Sequence, residues 1–166
     1  GDVRDIMINP GASEDIALGE VREIEWEVST YPVPMRGLLF LPLNYQEGTR
    51  YPLIVDIHGG DVGATIHLRG GILVSTVFEW HMWAAKGYAV FVPEFRSSGS
   101  FGSLAVTRDY LQEHDRFNCD IIDINAGVDK LISQGIVDSS RLAVIGHSAG
   151  SARANWLTVA THRYRA

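Results

Sequence analysis

The sequence predicts an α/β fold in which a mostly parallel sheet follows an antiparallel lead-in hairpin. Two observations support this prediction. Beyond residue 50, strand-like and helix-like segments alternate, which is the pattern of parallel strands joined by helical crossovers. The strand-like segments there are nearly continuous apolar runs, as expected for strands that are covered on both faces. In such sheets a ligand site lies beyond the carboxyl ends of the strands.

The composition limits the classes of protein to which the chain can belong. Its 166 residues, 46% of them hydrophobic, suit one ordinary globular domain. Lys and Arg total 14 against 20 Asp and Glu, and the resulting net charge of −6 argues against a nucleic-acid or anionic-membrane partner. No apolar run approaches the roughly 18 residues that a membrane span needs. The single cysteine, Cys119, is expected to be a packing residue and favours a reducing compartment such as the cytoplasm.

The first predicted element is a hairpin. Residues 1–19 show no sustained period, so we interpret them as a linker or arm. From residue 20 onward, Ile24, Trp26 and Val28 alternate with glutamates, which is the two-residue period of a strand with one buried face. A turn at residues 31–34 then leads to a second strand at residues 35–41.

Three strand-and-helix units are predicted after the hairpin. Aliphatic runs predict strands over residues 52–57, 88–92 and 141–145. Helical spacing predicts helices over residues 77–86 and 119–134, which end at Gly87 and Gly135, and a third helix begins near Ser148. The side chains of Trp80, Trp83 and Trp156 are expected to lie in the core.

Residues 146–150, Gly-His-Ser-Ala-Gly, fit the pattern G-x-S-x-G between a buried strand and a helix. A sharp bend there brings main-chain segments together, so the structural positions Gly146 and Gly150 must lack a Cβ. The bend lifts the Ser148 hydroxyl above the sheet, at the positive end of a helix, where developing negative charge is stabilised. The pattern predicts Ser148 as a nucleophile; a glycine-rich turn without chemistry is the alternative.

A second glycine-rich loop, His58-Gly59-Gly60, follows the strand at residues 52–57. In acyl-transfer enzymes of this architecture, one oxyanion donor is the N–H after the nucleophile, here that of Ala149, and another comes from such a loop. The loop glycines would let the main chain approach a tetrahedral intermediate closely. His58 either shapes this pocket or bonds to a loop carbonyl, and a simple turn at the strand end is the alternative for the whole loop.

Four segments, taken together, indicate a protein family more specifically than either glycine-rich loop does. They are YPLIVDIHGG (51–60), AAKGYAVFVP (84–93), FRSSGSFG (95–102), and DINAGVDKL through GIVDSSRLAVIGHSAG (123–150). In this order, from about Glu20 to Trp156, the chain resembles the catalytic domain of the prolyl oligopeptidase family of serine peptidases, within the α/β-hydrolase superfamily. The resemblance implies that Ser148 is the nucleophile, that Ala149 and the His58-Gly59 loop form an oxyanion hole, and that the substrates are short peptides or related acyl compounds.

Some positions depart from the usual residues of that family. Asp61 replaces a Pro, Ser97 replaces a Gly, and Gly150-Ser151-Ala152 replaces Gly-Gly-Tyr. These departures leave the nucleophile in place and leave the subfamily and the substrate open.

The other two members of a catalytic triad are not evident. In this fold they follow the serine as an acid and then a histidine. The 18 residues after Ser148 hold no Asp or Glu, and His162 would lie about 21 Å along a helix from Ser148. We therefore expect residues 20–166 to be the amino-terminal part of a catalytic domain, truncated after the nucleophile helix. The acid and base would come from a missing carboxyl-terminal segment or a second chain, and His147 and His58 are the alternative bases.

Two structural expectations accompany this interpretation. Without a further strand, the segment at residues 141–145 would be an open sheet edge. Asp120 and Asp123 are expected to stabilise the positive end of their helix. Residues 108–116 are expected to form a solvated face, and contact of Arg96 and residues 109–116 with substrate or a partner domain is the alternative.

The sequence thus predicts a serine hydrolase that cleaves peptide bonds through an acyl-enzyme on Ser148, although this stretch alone would be inactive. The partner is a small peptide or ester, and no nucleic acid, membrane or cofactor is expected. No metal is expected either, because His67, His81 and His114 share no zinc-ligand spacing. A carboxylesterase of the same fold and a catalytically inactive, hydrolase-like binding module are the alternatives.

Overall fold

A computed structural model describes residues 17–59, 74–98 and 116–166 of the chain. Strands and helices alternate after the hairpin, as the sequence predicts. The strands are β1 (Val21–Val28), β2 (Tyr31–Phe40), β3 (Tyr51–Ile57), β4 (Ala89–Pro93) and β5 (Val137–Gly146). The helices are α1 (Val74–Ala85), α2 (Arg116–Ser133) and α3 (Ala149–Thr161).

The strands form one mixed sheet in the order β1-β2-β4-β3-β5. The β1–β2 and β2–β4 pairs are antiparallel, whereas β3 runs parallel to both of its neighbours, β4 and β5. The lead-in hairpin therefore joins the sheet through β2, and the parallel part is built from β4, β3 and β5. This is the α/β architecture that the alternating segments predict.

The helices pack on both faces of the sheet because neighbouring strand residues point in opposite directions. Helix α1 packs on one face of the sheet. The buried side chains between α1 and the strands there are Leu38, Phe40, Trp80, Ala84, Val90 and Val92. The other face carries α2 and α3, whose buried residues pack on strand positions such as Leu39 and Phe91. In addition, the Trp80 indole N–H donates to the Asp56 carboxylate at 2.5 Å, which links α1 to β3.

The hairpin begins its second strand earlier than the sequence predicts. Residues 31–34 are not a turn but the start of β2, and Val28 pairs with Tyr31 across a two-residue connection. Pro32 and Pro34 can lie in this strand because β4 pairs only with residues 37–40 of β2. On that side, the first half of β2 needs no N–H groups for the ladder.

The edge at β5 also differs from the expectation of an open strand. β5 is the last of the five strands, but its outer side meets residues that follow α3. Arg165 N donates to Leu142 O at 2.8 Å, and Val144 N donates to Ala166 O at 2.8 Å. Part of the edge is therefore hydrogen-bonded. β5 also begins at Val137 rather than near Arg141, with exposed positions at residues 139–141.

Only one of the three tryptophan side chains that the sequence predicts in the core is buried. Trp80 is buried, as predicted, but Trp83 and Trp156 are 39% and 44% exposed. Helical spacing alone did not distinguish these two from the buried side because apolar residues occur on several sides of their helices. No helix in the described ranges is long and apolar enough to cross a membrane. The predictions for Gly60, Asp61, His67, His114 and residues 1–16 and 108–115 lie outside the described residues.

Candidate active site

The two glycine-rich loops leave the sheet side by side. β3 and β5 are parallel neighbours, and their last residues, Ile57 and Gly146, are paired in register. The His147 N–H points back to Ile57 O at 3.4 Å. The loop beginning at His58 and the turn containing Ser148 therefore emerge from adjacent strand ends, where an α/β sheet places its ligand site.

The glycines at this junction fill positions where no other residue fits. A Cβ on Gly150 would lie 2.0 Å from Ile57 O, and one on Gly146 would lie 2.5 Å from the Gly150 carbonyl carbon. Gly59 belongs to the other loop, and a Cβ there would lie 2.7 Å from His147 O and 3.0 Å from the Ser148 Cβ. The absent side chains allow the two loops to pack main chain against main chain around Ser148.

Ser148 has an unusual backbone conformation, with φ 55° and ψ −122°. This region is unfavourable for residues with a Cβ, and such strain is commonly found at functional sites. Ser148 occupies the N-cap position of α3, but its side chain makes no capping hydrogen bond. The residue is exposed. Its hydroxyl is therefore held at the surface and is not used to cap the helix.

The main chain next to Ser148 offers a donor. Ala149 is the first residue of α3, and the first N–H groups of a helix have no acceptor within the helix. The turn itself is closed by Gly150 N donating to His147 O at 2.9 Å and by Ser151 N donating to Ser148 O at 3.0 Å. The helix dipole adds partial positive charge at this end. The arrangement can stabilise an anion beside the Ser148 hydroxyl.

The ring nitrogens of His58 face partners other than Ser148. Its Nδ1 lies 3.0 Å from Gly59 O, and its Nε2 lies 3.4 Å from the buried Glu94 carboxylate. The ring also stacks on Phe95, with centroids 4.8 Å apart. Burial would lower the pKa of His58, but the Glu94 carboxylate and the Gly59 carbonyl outweigh it and raise the pKa above 6.5. This geometry matches the expected bond to a loop carbonyl and does not place His58 as a base.

The contact between His58 and the Glu94 carboxylate is expected to make the stability of the full-length protein depend on pH. Because the pKa of His58 is higher in the folded state, its contribution is complete below the unfolded value of 6.5 and is lost as pH rises through the folded pKa. We expect Glu94→Gln to lower Tm at pH 6 and to lower it less, or to raise it, at pH 9. Tm measured across this range for wild type and variant tests this, and parallel curves would contradict it.

Behind the site lies a buried ionic network that the sequence pattern does not predict. Arg96 Nε and Nη2 donate to the Asp123 carboxylate, at 2.8 and 2.5 Å. One helical turn earlier, the Asp120 carboxylate accepts from Ser97 Oγ at 2.6 Å and from Arg153 Nε at 2.7 Å. All five side chains are buried.

Two expectations about these residues are therefore wrong. Asp120 and Asp123 do not act as free charges near a helix end, because α2 begins at Arg116 and both carboxylates are paired with other elements. Arg96 is 1% exposed and pairs with Asp123, so it does not offer the expected contact to substrate or a partner domain. The adjacent Ser97, noted as a departure from the family pattern, uses its hydroxyl in this network.

The remaining described histidines include His147, whose role as an alternative base stays a prediction. His162 ends α3 in the left-handed conformation and is exposed, as its distance from Ser148 along the helix predicts. His147 is exposed beside Ser148, and burial lowers the pKa of His81 on α1. Within the ranges that the structure covers, no group of three or more His, Cys, Asp or Glu side chains could hold a metal ion.

The mixed sheet, the flanking helices and the serine turn at the end of β5 have the architecture of an α/β-hydrolase. Comparison with known proteins gives the family. The model of the prolyl oligopeptidase family matches residues 74–166. A curated relative, the uncharacterized peptidase YuxL of Bacillus subtilis (strain 168), is 35% identical over 139 residues. That alignment covers 81% of this chain and 19% of YuxL. The chain belongs to the prolyl oligopeptidase family.

Solved structures agree on the fold. The acylaminoacyl peptidase of Pyrococcus horikoshii superposes with a TM-score of 0.73 at 21% identity, over 95% of this chain and 24% of its own. A puromycin-hydrolyzing peptidase of Mycobacterium tuberculosis superposes with a TM-score of 0.70 at 25% identity, over 88% and 21%. The chain thus spans about a fifth to a quarter of the length of these relatives.

Proposed function

We propose that this chain carries the nucleophile and the oxyanion donors of a serine hydrolase that cleaves peptide or aminoacyl bonds through an acyl-enzyme on Ser148. The observation that carries the proposal is the position of Ser148. Its exposed hydroxyl stands at a strained strand-to-helix turn, next to the first N–H of α3 and packed against Gly59. The structural glycines Gly146 and Gly150 allow the main-chain segments of that turn to pack closely.

In the proposed reaction, Ser148 Oγ attacks the substrate carbonyl carbon while a histidine accepts its proton. The carbonyl oxygen becomes an oxyanion, which the Ala149 N–H and the His58-Gly59 loop stabilise. Collapse of the tetrahedral intermediate breaks the bond to the leaving group, which departs with the proton from the histidine. Water then hydrolyses the acyl-enzyme by the same steps and regenerates the serine.

The proton acceptor in this proposal is a histidine outside this chain, with its partner acid. His58 faces Gly59 and Glu94, and His162 lies at the far end of α3. The relatives are about four times as long as this chain, which leaves room for both groups elsewhere in a full-length protein.

The proposed substrate class is peptides or aminoacyl compounds. The family description and the names of the relatives, acylaminoacyl peptidase and puromycin-hydrolyzing peptidase, all denote peptidases. Hydrolysis of a peptide bond releases an amine. A carboxylesterase would use the same serine and oxyanion donors, so the leaving group decides between the two activities.

We expect the full-length protein to react covalently with a fluorophosphonate probe at Ser148 and to hydrolyse aminoacyl or prolyl p-nitroanilides. Peptide mapping of the labelled protein identifies the modified residue, and p-nitrophenyl esters assayed in parallel compare the two leaving groups. Hydrolysis of the esters alone would favour the carboxylesterase. Absence of labelling and of both activities would favour an inactive, hydrolase-like binding module.

A further inference from the structure

Arg153 connects three separate elements behind the candidate site. It lies on α3, four residues after Ala149, and is 1% exposed. Its guanidinium donates to the Asp120 carboxylate on α2 at 2.7 Å, to Ser97 Oγ after β4 at 3.0 Å, and to Ala149 O at 3.0 Å. It also lies over the Phe95 ring, 4.7 Å from the centroid.

Stability alone does not account for such an arginine. A buried ion pair is commonly no more stabilising than apolar side chains of similar volume, because both charges lose their hydration. The side of α3 on which Arg153 lies also carries the buried residues Ala154 and Leu157, so uncharged side chains in place of both Arg153 and its partner Asp120 would suit this region. An apolar residue would lack the rigid, planar guanidinium group, whose N–H groups donate to three acceptors in a fixed geometry.

One of those acceptors lies in the first turn of the helix that follows Ser148. The Ala149 N–H and the Ala149 carbonyl belong to successive peptide planes that meet at one Cα. Because Ala149 has helical φ and ψ as the first residue of α3, a restraint on the carbonyl also limits the direction of the N–H. The other end of the restraint is Asp120, which is itself held by Ser97 Oγ at 2.6 Å. The first turn of α3 is thus anchored to α2 and to the segment after β4.

We propose that Arg153 is a positioning residue that fixes the direction of the Ala149 N–H, and hence the oxyanion geometry, through its bonds to Ala149 O and Asp120. This inference rests on the proposed function, in which Ala149 is an oxyanion donor. It predicts that changes at Arg153 reduce the rate of the chemical step more than they reduce substrate binding. A purely structural role would change only the stability of the fold.

Two variants of the full-length protein separate these roles. Arg153→Lys keeps a charge for Asp120 but cannot also reach Ala149 O and Ser97 Oγ in the fork geometry. The double variant Arg153→Met with Asp120→Asn removes both charges at similar volume, so neither charge is left unpaired. Arg141→Lys, at an exposed ion pair on β5, is the matched control for an arginine-to-lysine change.

We expect both test variants to melt within a few degrees of wild type, while kcat and the rate of fluorophosphonate labelling fall by about 10-fold to 100-fold, the scale of an ångström-level misplacement. KM should stay within about threefold of wild type, because binding is not the step affected. The Arg141→Lys control should match wild type in both kcat and Tm.

Two results would overturn the inference if the wild type still labels at Ser148. One is a folded Arg153→Lys variant whose kcat equals that of wild type. The other is a double variant in which both kcat and Tm equal those of wild type. Failure of the wild type itself to label would instead overturn the proposed function, and this inference with it.

Discussion

Replacing Ser148 by alanine is expected to lower kcat of the full-length protein on the order of 10⁶-fold, the scale found when a serine nucleophile is removed. The reason is that Ser148 supplies the attacking oxygen in the proposed reaction, whereas the hydroxyl of Ser151, in the first turn of α3, donates to Ser148 O at 2.6 Å. Fluorophosphonate labelling should disappear at the same time. Steady-state hydrolysis and labelling of wild type and Ser148→Ala measure both effects.

A matched variant, Ser148→Gly, separates chemistry from backbone strain. Alanine keeps the Cβ at φ 55° and ψ −122°, whereas glycine adopts this conformation at little cost. We expect both variants to be inactive and Ser148→Gly to be more stable than Ser148→Ala by about 1 to 3 kcal/mol. Activity in Ser148→Ala within tenfold of wild type would refute the role of Ser148, and equal stability of the two variants would refute the strain.

The second large effect is expected at Gly150, where a methyl group cannot be accommodated. A Cβ would lie 2.0 Å from Ile57 O and 2.7 Å from His58 O, and both atoms belong to the main chain of the neighbouring strand end. To relieve this overlap, α3 must move away from β3, which separates Ser148 from the Gly59 loop. We expect Gly150→Ala to destabilise the full-length protein by about 3 kcal/mol or more and to abolish labelling at Ser148.

Gly48→Ala serves as the control for this variant. Gly48 has φ +83°, but nothing lies within 4 Å of a Cβ placed there. That substitution tests backbone conformation without overlap and should cost about 1 to 2 kcal/mol, with labelling unchanged. Urea unfolding and labelling of both variants compare the two effects. If the Gly150→Ala variant is at least as stable as the Gly48→Ala variant and labels normally at Ser148, the close packing at the turn is contradicted.

Part of the site could be predicted because its signals are local in sequence. The aliphatic runs predict β3 and β5, and the glycines after each run predict turns at their carboxyl ends. The structure then places the two turns side by side, since Ile57 and Gly146 are paired. The roles of His58, Gly59 and Ala149 in an oxyanion hole remain predictions.

The buried network could not be predicted in the same way. Asp120 pairs with Arg153, 33 residues away, and Asp123 pairs with Arg96, 27 residues away, so neither pair leaves a periodic signal. In a helix such charges ordinarily indicate a solvated face. A possible signal was the spacing of the two aspartates, which places them on the same side of a helix otherwise rich in isoleucine.

The amino-acid sequence by itself determined the α/β class, the element order and the serine turn, because hydrophobic period and glycine position act over a few residues. Tertiary structure alone decided which side chains meet: the pairing of Arg153 with Asp120, the placement of His58 against Glu94, and the exposure of Trp156. The physical reason is that burial and ion pairing depend on how separate elements pack, and no single segment encodes that arrangement.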